Sequence, residues 1–124
     1  MTKNKQSINL PPSVKVGYAD IKIELVAPNF ILNTHVDAYG EFRAREMTIS
    51  LQKNLDGQTL CNCLLHEICH SIVFGSGLNQ ANGPLKDEDA EELTVNQITN
   101  YLMGVFRDNV WLLDFIKQNM NDTH

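Results

Sequence analysis

A chain of 124 residues with 43% hydrophobic residues is long enough for one domain with a real core, near the commonest domain size. Fifteen acidic against ten basic residues leave a net charge of −5, which speaks against a general binder of nucleic acid or of anionic membranes, since both need a cationic footprint. No apolar run approaches the roughly 18 residues of a bilayer span, and no apolar h-region follows the N-terminus, so neither a membrane segment nor a secretory signal is expected.

Residues 1–12 are polar and close on Pro11-Pro12, which reads as a flexible N-terminal arm ahead of a single domain over 13–124. Residues 14–26 read as β-structure, because Tyr18, Ile21, Ile23 and Leu25-Val26 are separated by Asp20, Lys22 and Glu24 in a period-two pattern. Pro28-Asn29 stops that pattern, residues 30–38 match no template, and Tyr39-Gly40 reads as a turn. Residues 41–52 read as a hairpin turning near Ala44 to Glu46, with Met47-Thr48-Ile49-Ser50-Leu51 as its second arm. A small, mostly antiparallel sheet of about three strands is expected. As an edge strand, 47–51 would hold an extended peptide by strand addition.

A helix is expected over about 57–74, with Asp56 as its N-cap and Gly75-Ser76-Gly77 as its stop. After a loop rich in Asn and Gly, a second long helix starts near Lys86-Asp87-Glu88-Asp89, where acidic residues suit the positive end of the helix dipole. Val95, Ile98, Leu102, Val105 and Phe106 recur along it at helical spacing. Asp108-Asn109 breaks or re-caps it. A last short helix over about 110–119 carries Trp111, Leu112, Phe115 and Ile116, an apolar face that reads as core, with a partner surface as the alternative. The fold class is therefore α+β: a small sheet packed on one helix, a second long helix, and a short C-terminal helix.

The first of those helices contains His66-Glu67-Ile68-Cys69-His70. Residues four apart on an α-helix lie about 40° apart in azimuth and about 6 Å apart along the axis, so both imidazoles address one point on one face. Tetrahedral Zn²⁺ takes two of its nitrogen ligands at that spacing. Glu67 flanks the ion rather than binding it, in the position of a general base toward an activated water. Of the other two histidines, His35 reads as a loop residue and His124 as a terminal one. Cys61, Cys63 and Cys69, an odd number clustered on one helix, do not read as a disulfide framework. They read as small buried hydrophobes in a reduced, cytoplasmic protein.

A catalytic zinc site needs a third protein ligand and an open position. The second helix offers several carboxylates, and geometry alone leaves Glu92, Glu91 and Glu88 open: Glu91 lies nearest the centre of the Val95, Ile98 and Leu102 face, and Glu88 has Glu92 four residues on. A His-Glu-x-x-His helix followed by a helix with Glu-x-x-x-Asn resembles the gluzincin clan of zinc peptidases. Glu92-Leu93-Thr94-Val95-Asn96-Gln97-Ile98 is similar to the corresponding stretch of ImmA/IrrE-type metallopeptidases, and residues 64–109 resemble small proteins of this kind encoded by phages and prophages. Val95 stands where Ala is usual in that stretch, Ile98 where Phe is usual, and no Met-Pro follows. The resemblance implies a zincin-like minimal domain with His66, His70 and Glu92 as ligands, Glu67 as catalytic base, and Asn96 holding a ligand histidine by its free ring nitrogen.

The expected function is a zinc-dependent metallopeptidase acting on a protein or peptide, in the cytoplasm of a bacterial host. Tyr39 and Tyr101 are the candidate donors to the oxyanion. The alternative is a non-enzymatic interaction or regulatory protein whose zinc is structural or vestigial.

Overall fold

The computed structural model describes residues 10–27, 39–55 and 57–120. Four strands, β1 (Ser13–Val16), β2 (Ala19–Val26), β3 (Gly40–Arg43) and β4 (Thr48–Gln52), precede three helices, α1 (Gly57–Ser76), α2 (Glu88–Asp108) and α3 (Val110–Met120). The α+β class is as expected, with one strand more. Residues 14–26 are a hairpin rather than one strand. Val16 pairs with Ala19 across a two-residue loop in which Gly17 takes φ +63°, the first central position of a type II′ turn.

The strand order is β1-β2-β4-β3. The two outer pairings are antiparallel, as expected, while β2 and β4 run parallel in the middle, Ile23 beside Ile49 and Leu25 beside Leu51. The hairpin expected at Ala44 to Glu46 is present. Its Ala44 carbonyl accepts from the Met47 amide, and Met47 then adopts φ +49°, the left-handed residue that completes a four-residue loop between the paired Arg43 and Thr48. One expectation is overturned here: residues 47–51 do not form an edge strand. β4 is paired on both sides, so its backbone groups are taken, and the open edge near the helices belongs to β3.

The strands alternate. Ile21, Ile23, Ile49 and Leu51 point to one face and are buried there against Leu60, with Phe42, Cys63, Leu64 and Ile68 packed on the same cluster. The opposite face is polar, and Arg43 organises it. Its guanidinium donates to Ser50 Oγ at 2.7 Å and to Glu24 Oε2 at 3.1 Å, and Ser50 donates to Glu24 at 2.8 Å. Those two donors hold the Glu24 carboxyl below its ordinary value, Ser50 being the larger cause. A depressed carboxylate stabilises the fold above its unfolded value and stops doing so as pH falls through its folded one. Glu24→Gln should therefore flatten the decline in thermal midpoint below about pH 4.5; a variant that loses stability in acid as steeply as wild type would remove this network from the acid response.

Of the segment read as an arm, residues 10–12 are described. Leu10 packs on the core cluster, and the Pro12 carbonyl extends the β1–β2 ladder by accepting from the Ile23 amide. Asp56, His35 and His124 lie outside the described residues.

α1 crosses the sheet, contacting β1, β4 and β3. It stops in a Schellman motif: Gly77 at φ +85° donates to the Phe74 carbonyl, and Leu78 donates to Val73. α2 begins at Asp87, whose carboxylate caps the Ala90 amide at 3.1 Å. Among the described elements α2 packs only on α1 and α3, and α3 only on α2, so the molecule is stacked in series as sheet, α1, α2, α3. The apolar face of α3 is consequently not core: no residue of that helix is buried. The apolar residues of α2 divide similarly, Val95 buried with Thr99 toward α1 and Ile98 and Val105 exposed on the flank. No helix among the described residues is long and apolar enough to cross a membrane.

Candidate metal centre

The α1 pattern puts Leu60, Leu64 and Ile68 on the sheet and turns His66 and His70 toward α2. α1 and α2 run antiparallel, so the first turns of α2 meet the second half of α1. There His70 Nε2 lies 3.2 Å from His66 Nε2 and 2.9 Å from Glu92 Oε1, and His66 Nε2 lies 3.3 Å from Glu92 Oε2. Among the described residues, His66, His70 and Glu92 form the group whose ligand atoms fit within 4.8 Å of one another.

These separations test whether the residues suit zinc. Donors at about 2.0–2.1 Å from a tetrahedral Zn²⁺ stand about 3.3–3.4 Å apart, and the three observed separations of 2.9–3.3 Å are close to that. The donor set, two imidazoles and a carboxylate, is also a catalytic zinc set. The tautomer agrees. His70 Nδ1 is 2.6 Å from Glu91 Oε2, so Nδ1–H donates there and the Nε2 lone pair is left to face His66 and Glu92. Two ring lone pairs and a carboxylate converging at hydrogen-bond distance repel one another unless a cation or protons lie between them. Burial pushes the His66 pKa down, which keeps its ring in the neutral, ligating form.

The three open choices on α2 separate cleanly. Glu92 faces both Nε2 atoms. Glu91, one residue earlier and about 100° around the helix, reaches the far side of the His70 ring and is itself held at 3.0 Å by the Asn79 side-chain amide. Glu88 is exposed and takes no part in the cluster. Asn96 does not hold a histidine: it is exposed, with no hydrogen bond to either ring, because the turn after Glu92 carries it toward solvent. Glu91 occupies the role expected of Asn96. Neither Glu91's place nor Asn79's had a signal in the sequence beyond a second carboxylate beside Glu92 and an Asn in the connecting loop.

Asn79 sits in a loop built from its own backbone. Gly83 donates to Gln80, Leu85 to Leu78, and Gln80 to Gly77. A Cβ on Gly83 would run into the Leu78 carbonyl, so the loop closes only with glycine there.

Glu67 is buried on the sheet side of α1 beside β3. Gln52 N–H bonds the Tyr39 carbonyl, so by antiparallel alternation Gly40 and Phe42 turn their backbone groups outward, and the Phe42 amide donates to the Glu67 carboxylate. Gly40 is what lets α1 come this close: a Cβ there would lie 2.8 Å from Leu51 Cδ2 and 3.4 Å from Glu67 Cγ. Burial raises the Glu67 pKa to about 7, against the opposing pull of His70. Phe42 and Phe74 fix the β3–α1 contact through an edge-on ring pair at 6.1 Å.

The remaining expected residues lie elsewhere. Tyr101 is nine residues past Glu92, half a helical revolution around α2, and 79% exposed, so it does not reach the cluster. Tyr39 precedes β3 on the side opposite Gly40, the outer face of the sheet. The cysteines are unpaired as expected, but Cys61 is exposed rather than buried, and Cys63 and Cys69 are half-buried. No family model, curated protein or solved structure matches the chain.

Proposed function

We propose that the chain is a zinc-dependent hydrolase, a small gluzincin-like metallopeptidase of the ImmA/IrrE type found in phages and prophages, with Glu67 as its general base. The convergence of His66 Nε2, His70 Nε2 and Glu92 at 2.9–3.3 Å carries this reading. Zn²⁺ bound there would supply a Lewis acid for the scissile carbonyl and the attacking water. The chain does the rest. His66, His70 and Glu92 would hold the ion, and Glu91 fixes the orientation of the His70 ring. Glu67, buried on the same turn as the His66 donor, takes the proton of the attacking water and delivers it to the leaving amine. The Phe42 amide aims that carboxylate.

The open edge of β3 runs beside Glu67, and its outward backbone groups at Gly40 and the outward carbonyl of Phe42, whose amide is taken by Glu67, are where an extended peptide adds, in place of residues 47–51. A structural site closes its fourth position with a further protein ligand. Among the described residues three donors converge, and the Glu92 side chain is 50% exposed, which favours an open, catalytic site. Three unpaired cysteines fit the reduced cytoplasm of a bacterial host.

Metal content of the purified protein is the test. Wild type should carry about one zinc per chain, the stoichiometry of a single mononuclear site, and His66→Ala should carry none. Wild type that takes up no zinc would end the hydrolase reading.

A further inference from the structure

α3 is 11 residues long, short of the ~12–15 at which a helix holds together alone in water. Its apolar residues Val110, Trp111, Leu113, Phe115, Ile116 and Met120 cover more than half its circumference, yet none is buried. Trp111 is 60% exposed, Phe115 55% and Met120 77%. A helix apolar over so wide an arc is one that packs against something. Within the described residues it meets only α2.

The same chain presents a second unmatched surface. Ile98, Tyr101 and Val105 recur at i, i+3 and i+7 on α2, on the flank away from α1, and are 55%, 79% and 40% exposed. They stay that exposed with α3 in place. One chain thus carries an apolar helix without a groove and an apolar stripe without a helix, and two copies related by a two-fold axis satisfy both at once.

We infer that the chain is a homodimer in which α3 of each copy packs on the Ile98–Tyr101–Val105 flank of α2 in the other. Size supports a second copy as the occupant. Taking about 150–250 Å² for an aromatic side chain and about 60–120 Å² for an aliphatic one, from its burial energy at ~25 cal/mol per Å², these exposures leave roughly 500–900 Å² of apolar surface per copy across the two patches. That range takes in the ~800 Å² per partner of a standard stable interface. Trp111 stacks edge-on with Phe115 at 6.1 Å and supplies the large, preformed anchor that such interfaces centre on. The dimer leaves the metal cluster free, because Glu92 and both histidines lie on the α1 side of α2.

Sedimentation velocity of the full chain over a dilution series tests this. Wild type should sediment at twice the mass of one chain. Trp111→Glu combined with Phe115→Glu removes the inserted helix, and Ile98→Glu combined with Tyr101→Glu removes its receptor. Each variant alone should be monomeric with zinc uptake unchanged. Mixed, they should form a heterodimer through the one intact helix and the one intact flank. Trp111 is the single tryptophan, so its emission reports on the same event without any substitution. It should be blue-shifted in the dimer and move red on dilution. A wild type that is monomeric throughout overturns the inference. So does a blue-shifted emission that persists in the monomer, which would mean that another segment of the same chain covers α3.

Discussion

Glu67→Gln should keep its zinc and lose its chemistry. The substitution is isosteric, so the side chain still fits beside Gly40 and its amide oxygen still accepts from the Phe42 N–H. It does not touch the three donor atoms, so metal content should match wild type. What it removes is the carboxylate that accepts the proton of the attacking water. Positioned general bases contribute about 10²–10⁴-fold, and single-turnover cleavage of a fluorogenic peptide library should fall by that factor. A variant that cleaves as fast as wild type while holding zinc would assign the proton to another group. The double readout matters because a purely structural zinc site would be indifferent to this change in both columns.

Replacing Glu92 and Glu91 in turn should give two different losses. Glu92→Gln removes a donor facing both Nε2 atoms and should leave the purified protein without zinc. Glu91→Gln removes only the acceptor at His70 Nδ1, 2.6 Å away. Partners of this kind are worth about 10–100-fold in metal affinity, so a competition titration against a chelator should show a weakened site rather than an empty one. Asn79→Ala, which frees Glu91 Oε1, should fall in the same range, and in the Glu91→Gln background it should add little, because the two act through one ring. Equal losses for Glu92→Gln and Glu91→Gln would mean that both carboxylates reach the ion and that α2 sits rotated from the register described above.

The contrast between the two glutamates also shows where sequence reasoning ends. His66, Glu67 and His70 are legible because one turn of one helix brings them together, and helical periodicity is local. Glu91 and Glu92 are adjacent, both on the side of α2 that can face α1, and only the packing of α2 on α1 separates a donor from its support. Asn96 failed for the same reason: the one-turn spacing from Glu92 is correct, but the turn leads outward. The helix boundaries were readable from punctuation that acts within a few residues, Gly77 at one end and Asp87 and Asn109 at others. The Gly17-Tyr18 turn carried the same kind of signal and was hidden by the apolar residues around it. The parallel neighbourhood of β2 and β4 was out of reach, since two strands separated by β3 and a long connection carry no local mark of their pairing. Taking 47–51 for an edge followed from that.

Because sheet, α1, α2 and α3 are stacked in series, each layer is held by the one before it and by nothing else described. In the dissociated single chain, opening free energies should therefore be graded along the chain, and amide exchange should proceed from α3 inward, with β4 and the sheet-facing turns of α1 last. The His66, His70 and Glu92 cluster spans the single joint between α1 and α2. An ion seated there would couple those two layers, and by mass action would raise the protection of α2 by an amount set by its free concentration over its dissociation constant. In a chain of this build, zinc availability would govern how long α2 stays docked, and so how long the molecule survives proteolysis.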